Sequence, residues 1–272
     1  MHFVVTGGSS GVGAALVARL TNAGHTVTNL DVQKPSIDIP GSQFVPINLA
    51  DADVVRSTID QIPQAADGLA NVAGIARADD PVKVIAVNFL GARLITELLT
   101  ERIRASGSVV NVSSVAGSDW QARFDRIAPL LATESFEEGL SWCQAHTEVL
   151  ARDPYTFSKR CLSGWSALRA ESLKTTGVRT NCISPGGIDT RLHPQFKDLM
   201  GAAHAQWEVE QVGRLASPDD IAQVLDMLLT SEANWLNGAD VPVDGGYAAG
   251  RASGWIDFNE SPAMQAIRAK QG

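Results

Sequence analysis

The chain has 272 residues, 44% hydrophobic and 19% charged, with a formal net charge of −8. That apolar content suffices for a sizeable core, and α/β sheets of this length are commonly single units. The acidic balance argues against nucleic acid and against an anionic membrane surface as partners.

Short apolar runs alternate with helical patterns along the chain. This predicts an α/β fold, a doubly wound parallel sheet of about seven strands with helices on both faces. Strands are expected near 2–6, 26–31, 43–47, 68–73, 107–113, 178–183 and 239–244. Helices fill the gaps, including 12–23, 51–61, 82–104, 154–175 and 218–230. Right-handed crossovers then put the ligand crevice beyond the carboxyl ends of the strands. No apolar stretch approaches the length of a membrane span. The chain enters a strand at residue 2 with no basic n-region, so no signal peptide and a cytoplasmic location are expected. Cys143, Cys161, Cys182 and the five histidines are scattered without ligand spacing, which reads as free thiols and no metal.

The first strand, His2-Phe3-Val4-Val5-Thr6, runs into Gly7-Gly8-Ser9-Ser10-Gly11-Val12-Gly13 and then a helical pattern. Strand, glycine-rich turn and helix form the opening of a dinucleotide-binding βαβ unit. Gly7 permits the tight turn, Gly11 lets backbone approach a pyrophosphate, and Gly13 allows close helix–strand packing. The helix N-terminus supplies N–H groups and a positive dipole end for phosphates. Asp31 ends the second strand, where a carboxylate accepts bonds from ribose hydroxyls and repels a 2′-phosphate, so NAD is the expected cofactor. Further on, Tyr155 and Lys159 stand four apart behind Pro154, on one face of a helix. An ammonium one turn from a phenol is expected to lower the tyrosine pKa from about 10 towards neutrality.

Several short elements now agree in order. Thr6-Gly7-x-x-x-Gly11-x-Gly13, Asn71-Val72-Ala73-Gly74, Asn88 in Val87–Gly91, Ser114 after Val110-Asn111-Val112-Ser113, and Ser184–Thr190 resemble the signposts of the short-chain dehydrogenase/reductase family, single-domain type. Val72 replaces the second asparagine of the family element. Gly213-Arg214 with Pro218, and Val243-Asp244-Gly245-Gly246, complete a match over roughly residues 3–247. The resemblance implies Tyr155 as general acid/base, Lys159 as its activator and holder of the nicotinamide ribose, and Ser114 as the bond donor to the substrate oxygen. It implies that Asn88 holds a water in the proton path. It also implies cofactor contacts at Gly7, Ser10, Gly11, Val12, Gly13, Asp31, Asn48, Leu49, Asn71, Ala73, Gly74, Tyr155, Lys159, Pro185, Gly186, Ile188 and Thr190. Asn48 stands where relatives often carry an aspartate facing the adenine amino group.

Residues 1–250 then form one dinucleotide-binding and catalytic domain, with 251–272 as a tail. Ser114 and Tyr155 lie 41 positions apart, much further than in most relatives. The extra segment, 119–152, has apolar residues at helical spacing and predicts two short amphipathic helices. It resembles the insertion of the bacterial 3α-hydroxysteroid dehydrogenase/carbonyl reductase branch, which also includes coniferyl-alcohol-type dehydrogenases. The resemblance implies a homodimer, the segment covering the face through which other relatives build a homotetramer. Residues 189–212 resemble the substrate lid, with Phe196, Leu199, Met200, His204 and Trp207 as an apolar wall. The tail adds Tyr247, Trp255, Ile256 and Phe258, with disorder expected beyond about 262. The expected activity is NAD-dependent interconversion of a secondary alcohol and a ketone on a cyclic or aryl, largely apolar small molecule. The alternatives are an NADPH-dependent carbonyl or 3-oxoacyl reductase and a non-catalytic nicotinamide sensor.

Overall fold

The structure, a computed structural model, describes residues 1–63, 65–230 and 234–269. Seven strands form one sheet: β1 (His2–Thr6), β2 (Thr26–Asp31), β3 (Ser42–Pro46), β4 (Ala66–Asn71), β5 (Ile103–Val112), β6 (Arg179–Pro185) and β7 (Asp240–Val243). All pairings are parallel, in the order β3-β2-β1-β4-β5-β6-β7. The central strands are covered on both faces: β1 carries the apolar run Phe3-Val4-Val5, and β6, although it includes Arg179 and Asn181, is buried along its whole length. The chain order reverses at β1, between β2 and β4, and the crevice there holds the site described below.

Two cores sandwich the sheet. One joins Phe3, Val5 and Val110 to the helices Gly11–Asn22 and Pro218–Thr230. The other joins Val4, Leu69 and Val109 to the helices Ala52–Ile59, Ala92–Thr100 and Pro154–Arg169. The starts of these helices are written locally. Asp51, Asp80 and Asp153 each accept a backbone N–H of the first turn, and Pro81 and Pro154 follow two of them. Among the described residues no helix is long and apolar enough to cross a membrane.

Three expectations need correction. The helix expected over 82–104 is Pro81–Ile85, a π-helical turn at Ala86–Gly91 and Ala92–Thr100. It stops because Ile103 already pairs with Ala66 as the start of β5, and the Arg102 carbonyl accepts the Ala66 N–H. The helix expected over 154–175 ends at Arg169 and continues as a 3₁₀ turn, Ala170–Ser172, and a short helix. Residues beyond 262 are ordered as the helix Pro262–Ala269, which packs beside Ala202–Val212; residues 270–272 of the tail lie outside the described residues.

The insertion forms the expected pair of helices, Phe124–Leu131 and Phe136–Ala145, and a further single turn at Thr147–Leu150. Ile127, Leu130, Phe136, Cys143 and Leu150 are buried in the second core, against the helices on either side of the insertion. Phe124, by contrast, remains 38% exposed. The fit is close: a Cβ on Gly139 would lie 2.6 Å from Leu90 Cδ2, and one on Gly164 would lie 3.0 Å from Ile127 Cδ1. Polar ties fasten the rim. The buried Arg93 guanidinium donates to Thr133, Arg56 forks onto Glu137, and Arg160 forks onto Asp119.

Candidate active site

The glycine turn behaves as its residue types demand. Gly7 and Gly11 sit at φ +71° and +52°, the left-handed region open to glycine. A Cβ on Gly13 would fall 2.1 Å from the Gly7 carbonyl oxygen, so the helix can approach the turn only without a side chain there. The N–H of Gly7 donates to Leu30 O, while Ser10 and Gly11 stay exposed at the mouth of the helix. Val12, just inside, is buried in the core, so only its backbone faces the mouth. This cradle, too tight for side chains yet open at its N–H groups, fits a pyrophosphate.

Asp31 is positioned before any ligand arrives. Its carboxylate accepts the N–H of Ser9 at 3.0 Å and of Gln33 at 3.0 Å. Asn29, buried beneath, donates to Ser9 Oγ at 3.1 Å and so supports the same loop. Asn48 is exposed, with Oδ1 accepting the Ala50 N–H at 3.1 Å and keeping one lone pair for a further donor. Leu49 is 6% exposed and belongs to the core, which leaves only its backbone to face a ligand.

Asn71 also points inward. It is 2% exposed and donates to Thr96 Oγ1 at 2.8 Å and Asn111 Oδ1 at 2.7 Å, so its amide ties β4 to β5 beneath the crevice. The side chain is thus a buttress under the crevice, and any contact of Asn71 with a cofactor would run through its backbone. Ala73 and Gly74 do reach the crevice edge. A Cβ on Gly7 would lie 2.7 Å from Ala73 Cα, and one on Gly74 would lie 3.3 Å from Asn88 Oδ1 and 3.6 Å from Lys159 Nζ. Thr6 Oγ1 accepts the N–H groups of Val72 and Ala73 and binds this segment to the glycine turn.

The four proposed catalytic side chains converge at the same edge. Asn88 lies in the π-helical turn, a local widening often found at functional sites. Its Oδ1 accepts Ile75 N–H at 2.8 Å, and its Nδ2 donates to Ile75 O and Ser158 Oγ. Both amide hydrogens are committed to the protein, so the Asn88 side chain positions the Ile75 peptide. Ser114 caps a 3₁₀ turn, accepting Ala116 N–H, and its hydroxyl is near enough to the Tyr155 phenol to favour the phenolate. Ser113 is a different kind of residue. It is 3% exposed, donates to Lys159 O and accepts from Ser163 Oγ, so it holds the helix Pro154–Arg169 in place.

Lys159 is 4% exposed; Nζ donates to Val112 O at 2.8 Å and lies 5.7 Å from the Tyr155 ring centroid. Burial pulls its pKa down to about 8. Burial likewise pushes the Tyr155 phenol up to about 12, against the nearby Ser114 hydroxyl that favours the phenolate, and the Asp153 charge adds to the rise. The expected lowering of the tyrosine pKa by Lys159 is thus corrected. Desolvation is the largest influence on the phenol, while Lys159 is itself desolvated and turned to a carbonyl. Above Tyr155, Phe196 of the helix His193–Met200 packs edge-on at 4.9 Å.

Pro185 ends β6, and the Gly186 N–H donates to Val243 O. Ile188 bridges Ala216 and packs on the first core, while Thr190 stands by the glycine turn, its methyl 3.5 Å from where a Gly11 Cβ would be. The loop thereby runs from the end of β6 to the glycine turn. Sequence reasoning missed Ile75, whose peptide Asn88 holds, and the Asn29–Ser9 tie. The strand of Asn29, Thr26–Asp31, mixes polar and apolar residues, so no sequence signal singled it out.

Known families and proteins match this arrangement. The family described as short chain dehydrogenase matches residues 1–125, and that described as Enoyl-(Acyl carrier protein) reductase matches residues 137–248. A coniferyl-alcohol dehydrogenase from Pseudomonas sp. (strain HR199 / DSM 7063) is 36% identical over 90% of this chain and 96% of its own. The chain belongs to the short-chain dehydrogenase/reductase family. The two family matches break inside the insertion, between residues 125 and 137. The 3-alpha-hydroxysteroid dehydrogenase/carbonyl reductase of Comamonas testosteroni is 29% identical over 90% of this chain and 96% of its own. The solved 3-alpha-hydroxysteroid dehydrogenase from Pseudomonas sp. B-0831, complexed with NADH, shares the fold with a TM-score of 0.72 and 24% identity, covering 95% of this chain and 100% of that one. As a member of this family the chain is an oxidoreductase of alcohols and carbonyls that uses a nicotinamide cofactor.

Proposed function

We propose that this enzyme transfers hydride between NAD and an alcohol carbon on a cyclic or aryl, largely apolar substrate, with Tyr155 as general acid/base. One observation carries the reading: Ser114, Tyr155, Lys159 and Asn88 meet at the carboxyl edge of the sheet beside the glycine cradle. Gly7, Gly11, Gly13 and the helix mouth would hold the pyrophosphate, Asp31 the adenosine ribose, Lys159 the nicotinamide ribose, and the Pro185–Thr190 loop the ring. Bound, the nicotinamide supplies the hydride acceptor or donor and, when oxidised, a positive charge that favours the phenolate.

The residues of the chain do the rest. With its pKa near 12 in the free protein, Tyr155 carries its proton at neutral pH and is ready to give it to a ketone oxygen. Ser114 Oγ bonds that oxygen and steadies the charge developing on it. In the oxidative direction Tyr155 must first release its own proton to solvent, which a positive charge beside it favours, and the phenolate then takes the hydroxyl proton as the hydride leaves. Phe196, packed on the phenol, keeps bulk water away from the exchange.

Preference for NAD rests on the Asp31 carboxylate, already oriented by Ser9 and Gln33, which would repel a 2′-phosphate. The names of the relatives, a coniferyl-alcohol dehydrogenase and a hydroxysteroid dehydrogenase/carbonyl reductase, support a ring-bearing substrate. The covered insertion face supports a homodimer. A panel of cyclic secondary alcohols and aryl allylic alcohols, offered with NAD and with NADP and read at the nicotinamide absorbance, tests the reading. Turnover with NAD on at least one member supports it; turnover confined to NADP, or to short linear alcohols, would overturn it.

A further inference from the structure

We propose that the C-terminal tail is the latch of the substrate lid, and that Tyr247, Arg251 and Phe258 are positioning residues that hold the helix Ala202–Val212 in place. The inference rests on the functional reading above for its effect on substrate, and on packing alone for the contact itself.

The lid is poorly attached to the body of the protein. No residue of 193–212 belongs to either sheet-facing core, and none of 247–269 does. The first lid helix, His193–Met200, has no buried residue. Its ties to the body are Phe196 on Tyr155 and an exposed pair between Asp198 and Arg77 at 3.6 Å. The second, Ala202–Val212, is bracketed by Gly201 and Gly213 at φ +86° and +87°. A Cβ on either would touch nothing within 4 Å, so these glycines serve backbone conformation and not packing. Two such points on either side of a helix are natural hinges.

What the second helix does bury, it buries against the tail. His204 is 9% exposed and lies 5.9 Å edge-on from Phe258; Trp207 lies 6.2 Å from Phe258 and 6.3 Å from Tyr247. The Arg251 guanidinium covers the Phe258 ring at 4.1 Å and the Tyr247 ring at 5.7 Å. The Tyr247 hydroxyl faces Glu208 and Arg251, and Glu208 lies 3.4 Å from His204 Nε2. Lid and tail thus share one aromatic and charged cluster that neither could form alone.

The tail is built to present it. Ile256 is 2% exposed and folds back on Gly250, where a Cβ would lie 2.7 Å from Ile256 Cδ1 and from the Trp255 ring. That turn brings Phe258 to the lid. Loosening the cluster would free the second lid helix about its hinges, enlarging the mouth over Tyr155 while leaving the glycine cradle unchanged.

Hydrogen exchange of the full chain, comparing wild type with Phe258→Ala, Gly250→Ala and Phe258→Tyr, tests this directly. Residues 202–212 are expected to exchange at least about tenfold faster in the first two variants, with β1–β6 unchanged and Phe258→Tyr close to wild type. The KM for the best alcohol of the panel should rise about fivefold in the same two variants, with kcat and NADH affinity within about twofold. Unchanged exchange in 202–212 would overturn the latch, and so would acceleration spread evenly through the sheet. Should no alcohol in the panel turn over, the functional reading fails, and the exchange data still decide the lid–tail contact.

Discussion

Lys159 is held at a cost to stability, and that cost can be measured. Burial pulls its pKa from the ordinary 10.5 to about 8 in a side chain 4% exposed, so the fold disfavours the charged form by about 3 kcal/mol. Lys159→Met removes the buried charge at similar volume. It also strips Val112 O of the donor now 2.8 Å away, which returns about 1–3 kcal/mol of the gain. The variant should therefore be more stable at pH 7 by about 0–2 kcal/mol, while losing nearly all turnover. The pH dependence is the sharper test. Below about pH 8 the lysine is charged both folded and unfolded, and the full burial cost is present. Between about 8 and 10.5 the folded chain has released the proton and the unfolded chain has not, so wild-type stability rises with pH through that window. Groups common to both proteins cancel in the comparison. Urea unfolding of both at pH 7 and pH 10 should show the variant's advantage shrinking by about 2–3 kcal/mol and reversing. An advantage that is the same at both pH values would refute the reasoning.

Asp31→Ser should weaken NADH binding about tenfold and narrow the preference over NADPH, read by fluorescence titration, because the carboxylate both meets the ribose and orients Ser9. NADPH bound as tightly as NADH by the wild type would contradict that role. The insertion is expected to leave a homodimer, because its helices, anchored in the core by Ile127, Phe136 and Leu150, would cover the face that four packed helices need. Sedimentation at micromolar concentration should show a dimer, and a tetramer persisting on dilution would oppose the blocking role.

What was legible in the sequence was local. Gly7, Gly11 and Gly13 announce their roles because a left-handed φ or a 2.1 Å clash admits no other residue. Tyr155 and Lys159 share a helix face by spacing alone, and Asp51, Asp80 and Asp153 mark helix starts by their own chemistry. Other roles depended on partners far along the chain. Asn71 meets Asn111 forty positions away, and Asn88 meets Ser158 at a separation of 70, so neither side chain's direction could be read in advance. The pKa of Tyr155 followed burial, a property of the whole fold, and not the neighbour at helical spacing. The helix Pro262–Ala269 is amphipathic but has no buried residue; it lies beside the lid, a contact that no short-range signal reports.

The most direct test of the account is a comparison of wild type with Tyr155→Phe, measuring kcat on the best alcohol of the panel and NADH affinity by fluorescence. The phenol moves the proton and does not anchor the cofactor, so the variant should bind NADH within about threefold of wild type and lose at least about a hundredfold in kcat. Retention of a tenth or more of the wild-type kcat, or a loss of NADH binding that accounts for the lost activity, would contradict the assignment of Tyr155 as the acid/base.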